Sequence, residues 1–431
     1  MDGTTSKKSN PKEIEARAPS NPRRVQILFF LKQLPALLRH IPTFLTDRSV
    51  KHVNPKRHYV WLFDNYAFRK SSLSDGSLDS DNAIARMMDK EDDPWQTEYT
   101  TAFFKRDSGK ALTDGVALLC KELDVEDGTP SQSRLRYRLQ HFVDPVLARH
   151  TIHSSAGKGL RHLHGPSSSS GISTTNATLP SFVARGDRVV NTFPGTKPCQ
   201  GFLPGVTTFA EPGGWGIISD IDDTIKITLT PSPLGILSTT FLEEATPVPG
   251  MPELYRDLNT LLHSPTFFYV SASPYNLYPM LRAFRTAHYP QGQIMLRETT
   301  WQNLGGLIGG LMEDVKDYKL AQIERVHAYF PKRRFVLVGD TTHKDPETYA
   351  EVARRYPGWV LGIFIRRVTG VNDVAAPHLE EKNSDERLLS AFEGVDPDLW
   401  CVFEEPRIVG EVVRRKLAES GKKRTDSVTE L

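Results

Sequence analysis

The sequence predicts an α/β protein: a parallel sheet with flanking helices and a minimal cap, preceded by a β-rich amino-terminal domain. Three observations carry this. After Thr224, apolar strand-like runs alternate with helix-like stretches, the pattern of a parallel sheet with right-handed crossovers. Before Gly213, the apolar runs are aromatic and β-branched and are separated by turn residues. The chemistry-bearing residues fall at the ends of the predicted parallel strands, the edge where open α/β sheets gather ligands.

At 431 residues the chain is long enough for two or three domains. Its 39% hydrophobic and 25% charged residues can fill a sizeable core and coat it. A net charge of +2 demands neither nucleic acid nor a membrane, so no nucleic-acid partner is expected. Cys120, Cys199 and Cys401 are far apart and odd in number, which argues against a disulfide scaffold or zinc site and fits a reducing compartment. No apolar run approaches the roughly 18 residues that a membrane span needs. No secretory signal is legible, and Asp2, Glu13 and Glu15 argue against a transit peptide, so a cytoplasmic protein is expected. Asn176-Ala177-Thr178 then matches a glycosylation acceptor by chance.

Residues 1–22 read as a disordered basic tail. Residues 23–55 read as an apolar and basic helical segment, with Ile27 to Leu31 punctuated by Arg23, Arg24 and Lys32 and broken at Pro35 and Pro42. Packing on the domain behind it and binding to an anionic membrane surface both fit. Residues 56–212 read as the β-rich domain. Tyr59, Val60 and Trp61 mark one strand, Tyr99 to Phe104 a second, and 188–192 and 201–209 two more. Leu112, Val116, Leu119 and Leu123 recur at helical spacing. Residues 71–81 read as a polar loop. The Ser-, Gly- and Thr-rich stretch 154–180 reads as a mobile loop or linker with His162 and His164 solvated in it.

Residues 213–372 carry the chemistry. Trp215 to Ser219 is a short apolar strand that runs into Asp220, Asp222 and Asp223. Like charges that close repel, and burial would raise their pKa values unless a cation or donors sit among them. A hard divalent cation held by oxygen ligands, Mg²⁺, is the simplest answer. In an extended chain Asp220, Asp222 and Thr224 share one face, while Asp223 points away and has a supporting role at most. Further predicted strands end at Ser271 and at Asp340, and Lys319 lies early in the helix before the latter.

Each of these residues has an ordinary alternative. Ser271 could be a helix cap, Lys319 a solvated helix residue and Asp340 the end of a turn. Asp345 before Pro346 could cap the next helix or support the metal or Lys319. Together they suit phosphoryl transfer. Mg²⁺ and Lys319 neutralise phosphate oxygens, Ser271 donates to one of them, Asp220 attacks and Asp222 moves protons.

The order Asp-x-Asp-x-Thr, Ser, Lys, Gly-Asp-x₄-Asp resembles the haloacid dehalogenase superfamily of phosphatases. More narrowly, residues 218–226, 269–274 and 335–340 resemble the catalytic domain of actin-patch-type phosphatidate phosphatases. The resemblance covers about residues 213–370 and implies a Mg²⁺-dependent enzyme that converts phosphatidate to diacylglycerol through an aspartyl-phosphate. It implies Asp220 as nucleophile and Asp222 as acid/base. It implies Mg²⁺ on Asp220, the Asp222 carbonyl and Asp340, and phosphate on Thr224, Ser271 and Lys319. It also implies peripheral contact with a membrane phospholipid and cytoskeletal or endocytic partners. Two positions depart from the family pattern. The usual Gly-Asp-Ser-Gly-Glu-x-Asp is here Gly339-Asp340-Thr341-Thr342-His343-Lys344-Asp345, and Ala272 stands where Asn is common.

The short intervals between the motifs leave little chain for a cap domain, so an open site is expected. Residues 231–241, with Leu234, Ile236 and Leu237, are either a flap near acyl chains or ordinary core. Residues 373–431 read as an extension with a helix near 388–392 and an apolar run 400–403. A disordered basic tail is expected around Lys422, Lys423 and Arg424. A phosphoprotein phosphatase with the same core, or a catalytically silent lipid-binding scaffold, are the competing readings.

Overall fold

Strand-forming patterns in the first half of the chain assemble into one mixed sheet. The computed structural model describes residues 49–69, 94–156, 160–180, 186–196, 201–298, 316–369 and 379–429. The expected tail 1–22, most of the segment 23–55 and the loop 71–81 lie outside them. The amino-terminal sheet consists of β1 (Lys51–His52), β2 (His58–Leu62), β3 (Asn65–Phe68), β4 (Trp95–Lys105), β5 (His150–Ala156), β6 (Leu160–His164), β7 (Ile172–Leu179), β8 (Arg188–Thr192) and β9 (Gly205–Ala210). Between β4 and β5 run helices α1 (Gly109–Glu122) and α2 (Pro130–Val143), so this region is β-rich with a helical pair laid on it.

The expected loop at 154–180 is instead largely strand. Its Thr residues are β-branched and suit a half-buried pleat, and β7 pairs with β4 along its whole length. Ser and Thr content suggested a linker, but pairing with a long neighbour outweighs composition. His164 is correspondingly buried rather than solvated, with Nε2 2.7 Å from the Ser154 hydroxyl.

The second half forms a six-stranded, wholly parallel sheet. In chain order its elements are β10 (Trp215–Asp220), α3 (Pro233–Leu237), α4 (Met251–Leu261), β11 (Thr266–Pro274), α5 (Tyr278–His288), β12 (Gln293–Arg297), α6 (Lys316–Tyr329), β13 (Arg334–Asp340), α7 (Asp345–Arg355), β14 (Val360–Arg366), α8 (Leu379–Lys382), α9 (Asp385–Ala391), β15 (Trp400–Phe403) and α10 (Arg407–Thr429). Near-continuous burial along β10, β11, β13 and β14 is what a sheet covered on both faces requires. Proline starts α3, α4, α5 and α7, where a missing N–H costs no helical bond.

The strand order is β12-β11-β10-β13-β14-β15. Chain progress runs one way from β10 to β12 and the other way from β13 to β15. The reversal lies between β10 and β13, which makes their carboxyl ends the ligand-binding crevice of such a sheet. β15, in the expected extension, pairs with β14. The extension also supplies α10, whose Val409 and Val413 are buried in the same apolar cluster as Leu254 and Leu258 of α4. Its helix continues through 421–424, where a disordered tail was expected.

The two sheets meet in one continuous apolar cluster that contains Trp61, Phe104 and Leu139 together with Ile217, Phe241 and Tyr269. Residues 231–241 belong to it. Ile236, Leu237 and Phe241 are buried, and Phe241 packs against Phe142 of α2 with ring centroids 5.5 Å apart. Arg138 of α2 donates to the Thr240 and Glu243 carbonyls at 2.8 Å. This stretch is therefore core rather than flap.

Candidate active site

β10 stops at Asp220, and the chain then turns sharply. The amides of Ile225 and Lys226 both donate to the Ile221 carbonyl, and Asp223 adopts φ 58, a left-handed conformation that Asp tolerates. The expectation that Asp220, Asp222 and Thr224 share one extended face fails here. The turn carries Asp222 to one side of the crevice and swings Thr224 back beneath Asp220. Asp223 is the clasp of the loop: its carboxylate accepts the amides of Thr228, Leu229 and Thr230 at 2.7–2.8 Å.

On one side of the crevice stands an acidic cluster. Asp220, Asp340 and Asp345 are all at most 2% exposed. Lys319, on the inward face of α6 with Leu320, Ile323 and Val326, stands 2.7 Å from Asp220 Oδ1 and is paired with Asp345 as well. Asp345 accepts the Asp340 amide at 3.1 Å and does not cap α7, so of its two readings the one beside Lys319 matches the geometry. Gly339 makes this possible, because a Cβ there would lie 2.6 Å from the Asp345 carboxylate.

Thr224 Oγ lies 3.1 Å from Asp220 Oδ2 and 2.9 Å from Asp340 Oδ2. A hydroxyl has one proton, so it can serve only one of these carboxylates at a time. Asp340 also accepts from the amide and hydroxyl of Thr342. His343 Nδ1 lies 3.8 Å from Asp340 Oδ2.

Three buried carboxylates thus face one ammonium and one imidazole. Burial, then Asp345 and Asp340, push Asp220 well above the usual carboxylate range, and Lys319 offsets this only in part. Burial opposes the charge on Lys319, but Asp220, Asp345 and Asp340 outweigh it and hold the ammonium protonated. Burial likewise opposes His343, yet the Asp340 carboxylate 3.8 Å away raises it to about 9.

On the other side, Asp222 has a full set of donors. Ser271 Oγ and Ser273 Oγ donate to Oδ2 at 2.6 and 3.0 Å, and Thr228 Oγ donates to Oδ1 at 2.8 Å. Lys226, 1% exposed, donates to Thr228 at 2.8 Å and stands 4.0 Å from Asp222. Burial alone would raise Asp222, but the charge of Lys226 and the Ser271 and Thr228 hydroxyls outweigh it and hold the carboxyl below its usual range.

The donor set suits a divalent cation. Asp220, Asp340 and His343 offer ligand atoms within 4.8 Å of one another. Two opposite ligands of a Mg²⁺ ion stand roughly 4.2 Å apart. A cation between Asp220 and Asp340 would also neutralise the carboxylate that Thr224 leaves without a proton.

Asp220, Thr224, Lys319, Asp340 and Asp345 therefore gather in one cluster, and Asp222 and Ser271 gather beside it. Lys226, Thr228, Ser273 and His343 were not foreseen as part of the site. Lys226 and Thr228 carry a signal in their alternation directly after the aspartates, but it becomes legible only once the turn folds them back. Among the described residues no separate domain is inserted between these elements, although the carboxylates lie beneath the surface rather than in an open cleft.

Comparison with known proteins gives concordant matches. Residues 215–367, from β10 to just past β14, match the family described as "Phosphatidate phosphatase APP1, catalytic domain". The chain is 32% identical over 176 residues to a Saccharomyces cerevisiae protein named "Phosphatidate phosphatase APP1", covering 40% of this chain and 29% of that protein. It is 31% identical over 158 residues to an uncharacterized Schizosaccharomyces pombe protein, covering 36% of this chain and 25% of the relative. The chain thus spans less than a third of the length of either relative.

Proposed function

We propose, from the premise that residues 215–367 belong to the phosphatidate phosphatase family whose catalytic domain they match, that this protein is a Mg²⁺-dependent phosphatidate phosphatase releasing diacylglycerol and phosphate. The observation that carries the reading is the pair of buried carboxylates, Asp220 and Asp340, joined through Thr224 at the strand reversal with Lys319 against them.

In this reading Asp220 Oδ attacks phosphorus while the bond from phosphorus to the ester oxygen breaks, and Asp222 hands a proton to that leaving oxygen. Water then attacks the aspartyl-phosphate, the bond from phosphorus to Asp220 breaks, and the water proton returns to Asp222. Asp222 must first acquire a proton. An arriving phosphate dianion supplies the reason: its charge raises Asp222, and drawing the Ser271 hydroxyl away removes one of the donors that hold Asp222 ionised. Lys319 and Ser271 hold the phosphate oxygens, Asp345 orients Lys319, and Thr224 aligns the two carboxylates. Asp220, Asp340 and the Asp222 carbonyl would hold Mg²⁺, which supplies charge neutralisation on the transferring phosphoryl group.

Ile236, Leu237 and Phe241 are core, so they lend no support to an acyl-binding flap. That observation favours keeping a phosphoprotein phosphatase as the second reading. With a lipid substrate the protein works as a peripheral membrane enzyme. Among the described residues no helix is long and apolar enough to cross a membrane.

The test is phosphate release from phosphatidate in mixed micelles, with Mg²⁺ or EDTA, for the wild type and Asp220→Asn. Turnover that requires Mg²⁺ and vanishes in the variant is expected. Hydrolysis of a small aryl phosphate without lipid turnover would shift the substrate to phosphoproteins. Inactivity on both by a folded protein would sink the enzymatic reading.

A further inference from the structure

The candidate metal cluster holds one residue that the phosphoryl chemistry above does not use, His343. Resting on the metal reading above, we propose that His343 is a nitrogen ligand of the site, which lets this centre hold a first-row transition-metal cation such as Mn²⁺ more tightly than it holds Mg²⁺.

Geometry is the first support. The imidazole Nδ1 stands 3.8 Å from Asp340 Oδ2, and His343 joins Asp220 and Asp340 in the group of ligand atoms within 4.8 Å. His343 thus adds an imidazole nitrogen to the oxygen donors of Asp220 and Asp340. Oxygen ligands suit Mg²⁺, whereas imidazole binds later first-row divalent metals more strongly than it binds Mg²⁺.

The second support is how firmly the loop 341–343 is fixed. Arg387 of α9 donates to the carbonyls of Thr341 and His343 at 2.6 and 2.5 Å. The same guanidinium is locked to Glu347 of α7 at 3.0–3.1 Å. Lys382 donates to the Thr342 carbonyl at 2.6 Å, and the Thr341 hydroxyl donates to Asn383. Lys382, Asn383 and Arg387 lie outside the segment matched to the family. The part of the chain least legible from motifs thus fastens the loop that carries His343. A ligand held by its backbone in this way is preorganised, which is what sharpens metal preference.

The experiment is direct Mn²⁺ and Mg²⁺ binding to the full chain by calorimetry, with pulsed EPR of the Mn²⁺-loaded protein. Wild type, His343→Gln and His343→Glu are compared, each checked for a native circular dichroism spectrum. The wild type is expected to give the nitrogen modulation of a coordinated imidazole, and both variants to lose it while still binding Mn²⁺. The ratio of Mn²⁺ to Mg²⁺ affinity is expected to fall by roughly tenfold or more in His343→Glu, the scale on which single contacts tune metal sites. Arg387→Gln is expected to weaken the modulation without abolishing binding. Mn²⁺ bound to the wild type with no nitrogen modulation, or an unchanged ratio in His343→Glu, overturns the proposal and leaves the metal reading standing. No binding of either cation to the folded wild type overturns both.

Discussion

Two buried ionic centres in this molecule differ in how their charge is matched. At the seam between the sheets, Asp64 is 1% exposed. Its carboxylate accepts Arg282 Nε and Nη2 at 3.1 and 2.9 Å, Arg285 Nη2 at 2.9 Å, Gln291 Nε2 at 3.1 Å and the Val206 amide at 2.9 Å. One anion therefore meets two guanidiniums and further neutral donors, and its amide donates to the Tyr278 hydroxyl. At the strand reversal, three carboxylates share one ammonium and one imidazole, and one hydroxyl proton is offered to two of them. The first centre is saturated and holds two sheets together. The second is short of positive charge, so a proton on Asp220 or a bound cation must make up the difference.

The sharpest way to test the contrast is to remove one charge from each centre. Asp220→Asn is expected to lower kcat by on the order of 10⁴-fold or more, because the attacking oxygen is lost. Its melting temperature should hold or rise, since a carboxylate leaves a crowded cluster. A large fall in stability with activity retained would reverse the roles drawn here. Asp64→Asn should do the opposite, costing about 3–5 kcal/mol of unfolding free energy in urea titrations because two guanidiniums are left buried. Its kcat per folded molecule should stay near wild type, and a selective catalytic defect would mean that the seam belongs to the site.

Thr224→Val probes the tie between Asp220 and Asp340. A fall of about 10²-fold in kcat/KM is expected, as for loss of one preorganised donor. Near-normal turnover would remove Thr224 from the machinery.

The smallest effect concerns a third kind of buried group, neutral histidine in the amino-terminal sheet. Burial, then His162 and His153, lower His164 to about 3, while the Ser154 hydroxyl and the Tyr99 ring complete its surroundings. Below about pH 6.5 the unfolded chain takes up a proton that the folded chain refuses. Stability contributed by this residue is therefore full above that pH and declines toward pH 3, by up to about 1.4 kcal/mol per unit. Urea titrations at successive pH values should show a shallower decline in His164→Gln, and an unchanged slope would exclude His164 as the cause.

Much of the catalytic half is legible without coordinates. Ile217, Phe268, Leu337 and Ile363 sit in short, β-branched or aromatic apolar runs that read as buried strands, and Asp220, Ser271 and Asp340 stand at or near the ends of such runs. The amino-terminal sheet is less legible. The Ser and Thr of β7 look like a linker until β4 is beside them, because the stabilising contacts are cross-strand and not local.

The sequence by itself therefore determined the parallel sheet, the order of its strands along the chain and the edge at which its polar residues collect, because burial and period are local properties of each segment. Only the tertiary structure decided which charges meet. It sent Lys319 to Asp220 and Asp345, folded Lys226 and Thr228 back onto Asp222, brought His343 to Asp340 and set Asp64 between Arg282 and Arg285. Such pairings depend on turns and on elements distant in the chain, and a buried charge is stable only beside the partner that those long-range contacts deliver.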